Sequence, residues 1–206
     1  MSTSPLTTFP IAELPMELQL KVYRTMPFRS AARLIRCSKE TYQLFIEELY
    51  KRSKTRGWFP LGFACATNNL RALSLCLSAG APIDIHIPKD VSYHRWDNTS
   101  YYLVGGWRPL REAMYRLHVE ATKFLLQRGA DPNMTADEEA SRDLDQTPLA
   151  YIFRRGVEGG QNAIRAREIC LALVGAGADL STLSAEKWRE IDRMRNEQGY
   201  LPAQWS

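Results

Sequence analysis

Four cysteines and three histidines are the first candidates for a nucleophile or a metal ligand in this 206-residue chain. Cys37, Cys65, Cys76 and Cys170 form no C-x-x-C pair. His86, His94 and His118 stand far from them in sequence, so the ligand spacing of a zinc site is missing. Cys65 and Cys76 fall within apolar helical patterns, where a thiol behaves as a small hydrophobe, and the four read as reduced core cysteines. There is no nucleophile elbow, no phosphate loop and no histidine pair for a metal. Gly159-Gly160 is a lone glycine pair, short of a nucleotide fingerprint. The expectation is a chain that is not an enzyme, with no catalytic residues, no metal and no cofactor.

Recognition chemistry is better represented. Tyr93, Arg95, Trp96, Tyr101 and Tyr102 lie within residues 85–105, and aromatics with arginine are the side chains enriched at binding hot spots. Such a segment either binds a partner or folds back over an exposed flank, because aromatics pack as readily as they bind. KRSKTR at 51–56 reads as a localisation or nucleic-acid patch, or as a basic C-terminal helical turn favoured by the helix dipole. Residues 1–56 carry ten Lys/Arg and five Asp/Glu, a balance of +5, which leaves 17 basic and 18 acidic groups, a balance of −1, for the remainder. That shift marks a boundary near Arg56 and speaks against nucleic acid as the partner of the later part.

The elements that carry these residues announce themselves as repeats. Residues 57–84, GWFPLGFACATNNLRALSLCLSAGAPID, align without a gap with 106–133, GWRPLREAMYRLHVEATKFLLQRGADPN. Pro60 to Gly80 and Pro109 to Gly129 are both 20 residues apart. A third copy, within 145–180, starts at Thr147-Pro148-Leu149; its Pro148 and Gly177 are 29 residues apart, and the nine extra residues are expected in the turn after Gly156. Proline at a first helical position presets the backbone, and glycine at the end adopts the left-handed conformation freely. Leu110, Ala113, Met114 and Leu117 share one helical face, Ala121, Phe124 and Leu125 face inward from a second helix, and Asn68 occupies the turn between the helices of the first copy. Ser184 is placed to cap a helix within 184–199, with Trp188, Ile191 and Met194 inward. The fold class is therefore all-α. Ordinary hydrophobic content (45%), the lack of a membrane-length apolar run and the lack of a secretory leader lead us to expect a cytoplasmic or nuclear chain that uses no membrane.

The copies resemble the ankyrin repeat, whose signature is T-P-L-H-x-A with a period of about 33 residues. Thr147-Pro148-Leu149 keeps the start; the other copies keep Pro-Leu but have Phe59 and Arg108 in the threonine place. Gly62, Arg111 and Ala150 stand where the family has histidine, so these are divergent repeats. Arg108 and Arg111 either make substitute turn contacts or aim positive charge at a partner. The surplus over the family period, including 85–105, falls in the hairpin loops. The resemblance implies a short solenoid of about three repeats over 57–206.

Residues 10–56, after a disordered 1–9, carry three short apolar helical patterns. Leu14, Pro15, Glu17, Leu18, Val22, Met26, Leu34, Cys37, Ser38 and Lys39 match the Leu-Pro-x-Glu-Leu opening and later segment of the F-box. Tyr42 replaces its usual tryptophan and Arg29 a common acidic residue. The resemblance implies a substrate receptor of an SCF-type ubiquitin ligase, monomeric outside its complex. Leu14, Pro15, Leu18, Val22, Met26 and Leu34 would dock a Skp-type adaptor, and the repeats would hold a protein target. The alternative is a binding scaffold or inhibitor whose N-terminal helices only cap the array.

Overall fold

A computed structural model describes residues 13–86, 93–94, 100–101, 108–134, 147–156, 160–181 and 183–197. The disordered N-terminus expected over 1–9, together with Arg95, Trp96, Tyr102, Trp107 and Gly199, lies outside the described residues.

Among the described residues the regular structure is helical apart from one two-residue ladder. Three helices open it: α1 (Met16–Thr25), α2 (Phe28–Leu34) and α3 (Lys39–Arg52). Pro15 and Pro27 stand at the N-caps of the first two, with the extended ψ that a proline-led start favours. Ser38 accepts from the Thr41 N–H and Thr41 returns the bond, a reciprocal cap that fixes where α3 begins. Tyr23, Ala31, Ile35, Phe45 and Leu49 form the buried cluster, with the Tyr23 and Phe45 rings stacked 4.5 Å apart. The Arg52 guanidinium donates to the Tyr23 and Met26 carbonyls, at 3.0 and 2.6 Å, and so ties α3 to the end of α1, where the Met26 N–H also reaches the Tyr23 carbonyl.

Three helix pairs follow: α4 (Phe59–Ala66) with α5 (Leu70–Ser78), α6 (Pro109–Tyr115) with α7 (Val119–Gln127), and α8 (Pro148–Gly156) with α9 (Gly160–Gly175). The first helices pack α4 on α6 and α6 on α8; the second pack α5 on α7 and α7 on α9. This gives two layers over one continuous core that includes Leu61, Leu73, Met114, Leu125, Leu149, Ile169 and Leu173. α10 (Ala185–Glu197) closes the α9 end by burying Ile191 completely. The strands β1 (Tyr93–His94) and β2 (Ser100–Tyr101) pair antiparallel, with Tyr93 opposite Tyr101.

Each second helix stops in the same way. Gly80, Gly129 and Gly177 have φ near +90°, and the two N–H groups that follow each stop bond back to carbonyls of the last turn. Asn68 takes φ 54° in the first inter-helix turn, as its type favours; Leu117 takes the same value at the matching place in the second, where nothing in its type favours it. Two expectations are corrected. The nine extra residues of the third copy do not sit in the turn after Gly156: the spacing from α8 to α9 equals that from α4 to α5, and the additions are helical. Counted from proline, α8 is two residues longer than α4, and α9 has 16 residues against nine in α5. Cys37 is exposed beyond the end of α2, so only Cys65, Cys76 and Cys170 are core thiols; burial raises the Cys65 and Cys76 thiols, the latter to about 12.

A Cβ at Gly129 would meet nothing within 4 Å, so only its positive φ opposes a side chain. Gly129→Ala is expected to cost about 1 kcal/mol. Gly175→Ala, in the last turn of α9 with equal space and no positive φ, is expected to be neutral or stabilising by up to about 1 kcal/mol. Urea unfolding of the two variants measures the contrast.

Candidate functional site

The residues that sequence singled out at the starts of the pairs do converge. Arg108 sits at the N-cap of α6 and donates from Nη1 to the Asp84 carbonyl of the preceding hairpin, 2.9 Å away. Thr147 holds the same place before α8 and accepts from the Ala150 N–H at 3.2 Å. Arg108 therefore gives α6 no side-chain cap and instead ties its start to the neighbouring hairpin. Asp84 accepts the Asp131 N–H through both carboxylate oxygens, at 3.3 and 3.4 Å. Burial raises its carboxyl above the usual range, and the Asp131 N–H opposes that shift. Asn133, at the position matching Asp84, accepts the Asp179 N–H at 2.6 Å and donates to the Gly177 carbonyl. The hairpins are thus tied to one another by equivalent bonds.

Between these ties α6 and α8 wall a small groove of about 20 Å³. Leu110, Met114 and Met134 give it apolar lining, and Arg111 and Tyr151 stand on opposite walls. Arg111 has no hydrogen bond or ion pair among the described residues. One turn farther along, Tyr115 is exposed on α6 and the Arg155 guanidinium of α8 lies 6.0 Å from its ring centre. Sequence named Arg108 and Arg111. It missed Met134, Tyr115 and Tyr151; aligning the third copy column by column would have placed Tyr151 three residues after its proline, beside the groove.

The other named residues fall elsewhere. Tyr93 and Tyr101 oppose each other in the short ladder, while Arg95, Trp96 and Tyr102 lie outside the described residues. In the N-terminal helices, Leu18 and Val22 are one turn apart on α1 and exposed at 47% and 41%. Pro15 is exposed and Leu14 half-buried just before them. Met26 and Leu34 instead pack against the Tyr23–Phe45 cluster. Met26 does not continue the row of Leu18 and Val22, because α1 ends at Thr25 and Met26 is already extended.

Glu112 is the least foreseen residue. It is 1% exposed on α6 and paired with Arg116 one turn on. Burial pushes its carboxyl above the ordinary value of 4.5, while the Arg116 guanidinium and, after it, His118 pull the other way. The His118 ring bonds to the Ala66 carbonyl at the end of α4, 3.1 Å away, and Asn68 accepts the Ala121 N–H at 3.0 Å. These groups hold the inter-helix turns together; they are not arranged around an open space.

Among the described residues no three His, Cys, Asp or Glu side chains gather as metal ligands, and no helix is long and apolar enough to cross a membrane. No family model matches the chain, and neither a curated protein nor a solved structure is significantly similar to it.

Arg116→Met would leave the Glu112 carboxylate buried without its cation. At pH 7 the expected loss is about 3 kcal/mol. Glu112 has a raised folded-state value, so the stability it confers is full below its ordinary value of 4.5 and lost as pH rises through the folded one. Without Arg116 that folded value rises further, so the variant's deficit should shrink on acidification. Urea midpoints of both proteins at pH 7 and near pH 4 test this.

Proposed function

We propose that the helix pairs are divergent ankyrin-type repeats, that residues 10–56 are an F-box-like segment, and that the chain is the substrate-recognition subunit of an SCF-type ubiquitin ligase. The repeat reading is supported by the Pro-Leu starts, the three left-handed glycine stops and the equivalent hairpin bonds of Asp84 and Asn133. The observation that carries the ligase reading is the Leu18 and Val22 strip. These two aliphatic side chains stand in water on α1, while Tyr23 of the same helix closes a packed core. An exposed aliphatic pair after Leu14-Pro15 suits docking to a Skp-type adaptor, with Met26 and Leu34 acting from within by holding α1 and α2 in place. The chain would supply recognition alone, ubiquitin transfer belonging to other subunits.

One observation favours a second reading, in which these helices only cap the array of a binding scaffold. Phe28 meets Phe59 edge-on at 5.4 Å, and Tyr50 packs against the core of the helix pairs. The two readings differ over Leu18 and Val22, which such capping leaves unused.

Co-expression with a Skp-type adaptor distinguishes them. The expected outcome is a stoichiometric complex that Leu18→Asp abolishes, with stability changed by no more than about 0.5 kcal/mol because the side chain is exposed. Failure to form any adaptor complex would refute the ligase reading, and a complex that survives both Leu18→Asp and Val22→Asp would refute docking through this strip.

A further inference from the structure

Burial sorts α2 into two faces. Ala31 is completely buried in the N-terminal cluster, with Phe28 and Leu34 packed beside it. On the opposite face Arg29 and Arg33 stand one turn apart in solvent, and exposed Arg36 continues the row in the turn that follows. The row is about 10 Å long. Arg56 joins its start: the guanidinium lies over the Phe28 ring, 5.0 Å from the centre, and exposed Lys54 shares the single turn Ser53–Arg56 with it.

These cations do nothing for the helix that carries them. α2 has seven residues and no acid in its first turn, where the positive end of the aligned peptide dipoles favours one. Arg29 places a cation at that end, and Arg33, four residues on, repels it. Neither guanidinium has an ion pair or hydrogen bond among the described residues, whereas Arg24 on α1 is paired with Glu48. A short helix that keeps two local penalties without a compensating contact points to a use outside the chain.

The chemistry of the row narrows the partner. Guanidinium groups one turn apart, ~5.4 Å, suit carboxylates at similar intervals, each accepting two parallel N–H bonds. Acidic side chains recur at that interval on a helix and at ~6.6 Å along one side of an extended chain. Nucleic acid fits less well. Phe28, the aromatic ring at the row, is taken up by Arg56 and by its edge-on contact with Phe59, so it offers no platform for a base. Beyond Arg56 the charge balance is −1, so the later part of the chain adds no excess of positive charge for a phosphate backbone.

We propose that the arginine row of α2, extended by Arg56, docks an acidic protein segment whose Asp or Glu side chains recur at about one helical turn. Arg29 and Arg33 pair with successive carboxylates. Arg56, already held on the Phe28 ring, meets the next one with little loss of side-chain freedom. The excess of +5 over residues 1–56 steers such a partner inward. This face belongs to a different helix from Leu18 and Val22, so the proposal goes beyond the ligase reading and does not rest on it.

The test is fluorescence anisotropy of labelled oligoglutamate with the full chain and no adaptor present. The expected result is binding that weakens as salt rises, with none for oligoglutamine. Arg29→Glu and Arg33→Glu should each weaken it about tenfold or more, the effect of losing a charge-assisted bond. Arg29→Glu also puts an acid in the first turn of α2, so its urea midpoint should be unchanged or higher. Arg189→Glu with Arg193→Glu, at two exposed positions of α10, alters net charge as much as Arg29→Glu with Arg33→Glu. That α10 pair should leave affinity within about twofold at moderate salt. Absence of oligoglutamate binding overturns the proposal, as does an equal loss in the α10 pair, which would reduce the effect to net charge. Weaker binding that comes with a lower urea midpoint would make the arginines structural and also overturn it. Tighter binding of oligothymidylate than of oligoglutamate would assign the row to nucleic acid instead.

Discussion

The spacing of the helix pairs depends on one side chain per hairpin. Asp84 takes the Asp131 N–H and Asn133 takes the Asp179 N–H, each reaching from one hairpin to the next at the same relative position. Neither bond crosses the core, yet together they fix the separation at which α4, α6 and α8 lie side by side. Interdigitated apolar side chains set how closely the helices pack, and a directional hydrogen bond to a backbone N–H adds a register at the hairpins. With that spacing set, Leu61, Met114 and Leu149 meet in one core, and the wall-to-wall distance of the α6–α8 groove follows.

The join between the N-terminal helices and the pairs is a backbone device of another kind. Gly57 and Trp58 are both left-handed, and the Trp58 N–H donates to the Ser53 carbonyl. A tryptophan in that region is strained by about 1–2 kcal/mol. Its nearly complete burial in the core of the pairs offsets that cost. The turn thereby ties the orientation of the first three helices to the packing of a single large side chain, and Arg56 over Phe28 and Arg71 over Tyr42 line the same junction.

The helices were legible in the sequence because proline and glycine act locally. Pro60, Pro109 and Pro148 constrain their own backbone, and the residues that follow them become helical without reference to distant contacts. Leu117 shows where this ends: its left-handed turn is imposed by two packed helices, so only alignment with Asn68 reveals it. Glu112 is similar, since a charged residue one turn from an arginine reads as an exposed pair until α4 covers it. In the N-terminal segment, apolar type did not separate Leu18 and Val22, left in solvent, from Met26 and Leu34, taken into the cluster. That division depends on where α1 stops, which Pro27 sets only within a residue or two.

The extra length of the third pair bears on how such a chain changes size. α9 exceeds α5 by seven residues, close to two whole helical turns. A seven-residue addition rotates a helical face by only ~20°, so Ile169 and Leu173 remain buried while Ile164, on the added stretch, stands exposed. It also carries the start of the helix about 10 Å farther out. The two residues added to α8 make no whole turn, but they extend its far end, beyond the buried Leu149 and Ile152. The pair has thus grown outward at the turn that joins its helices, like a hairpin drawn out at the bend, while its core face keeps its register.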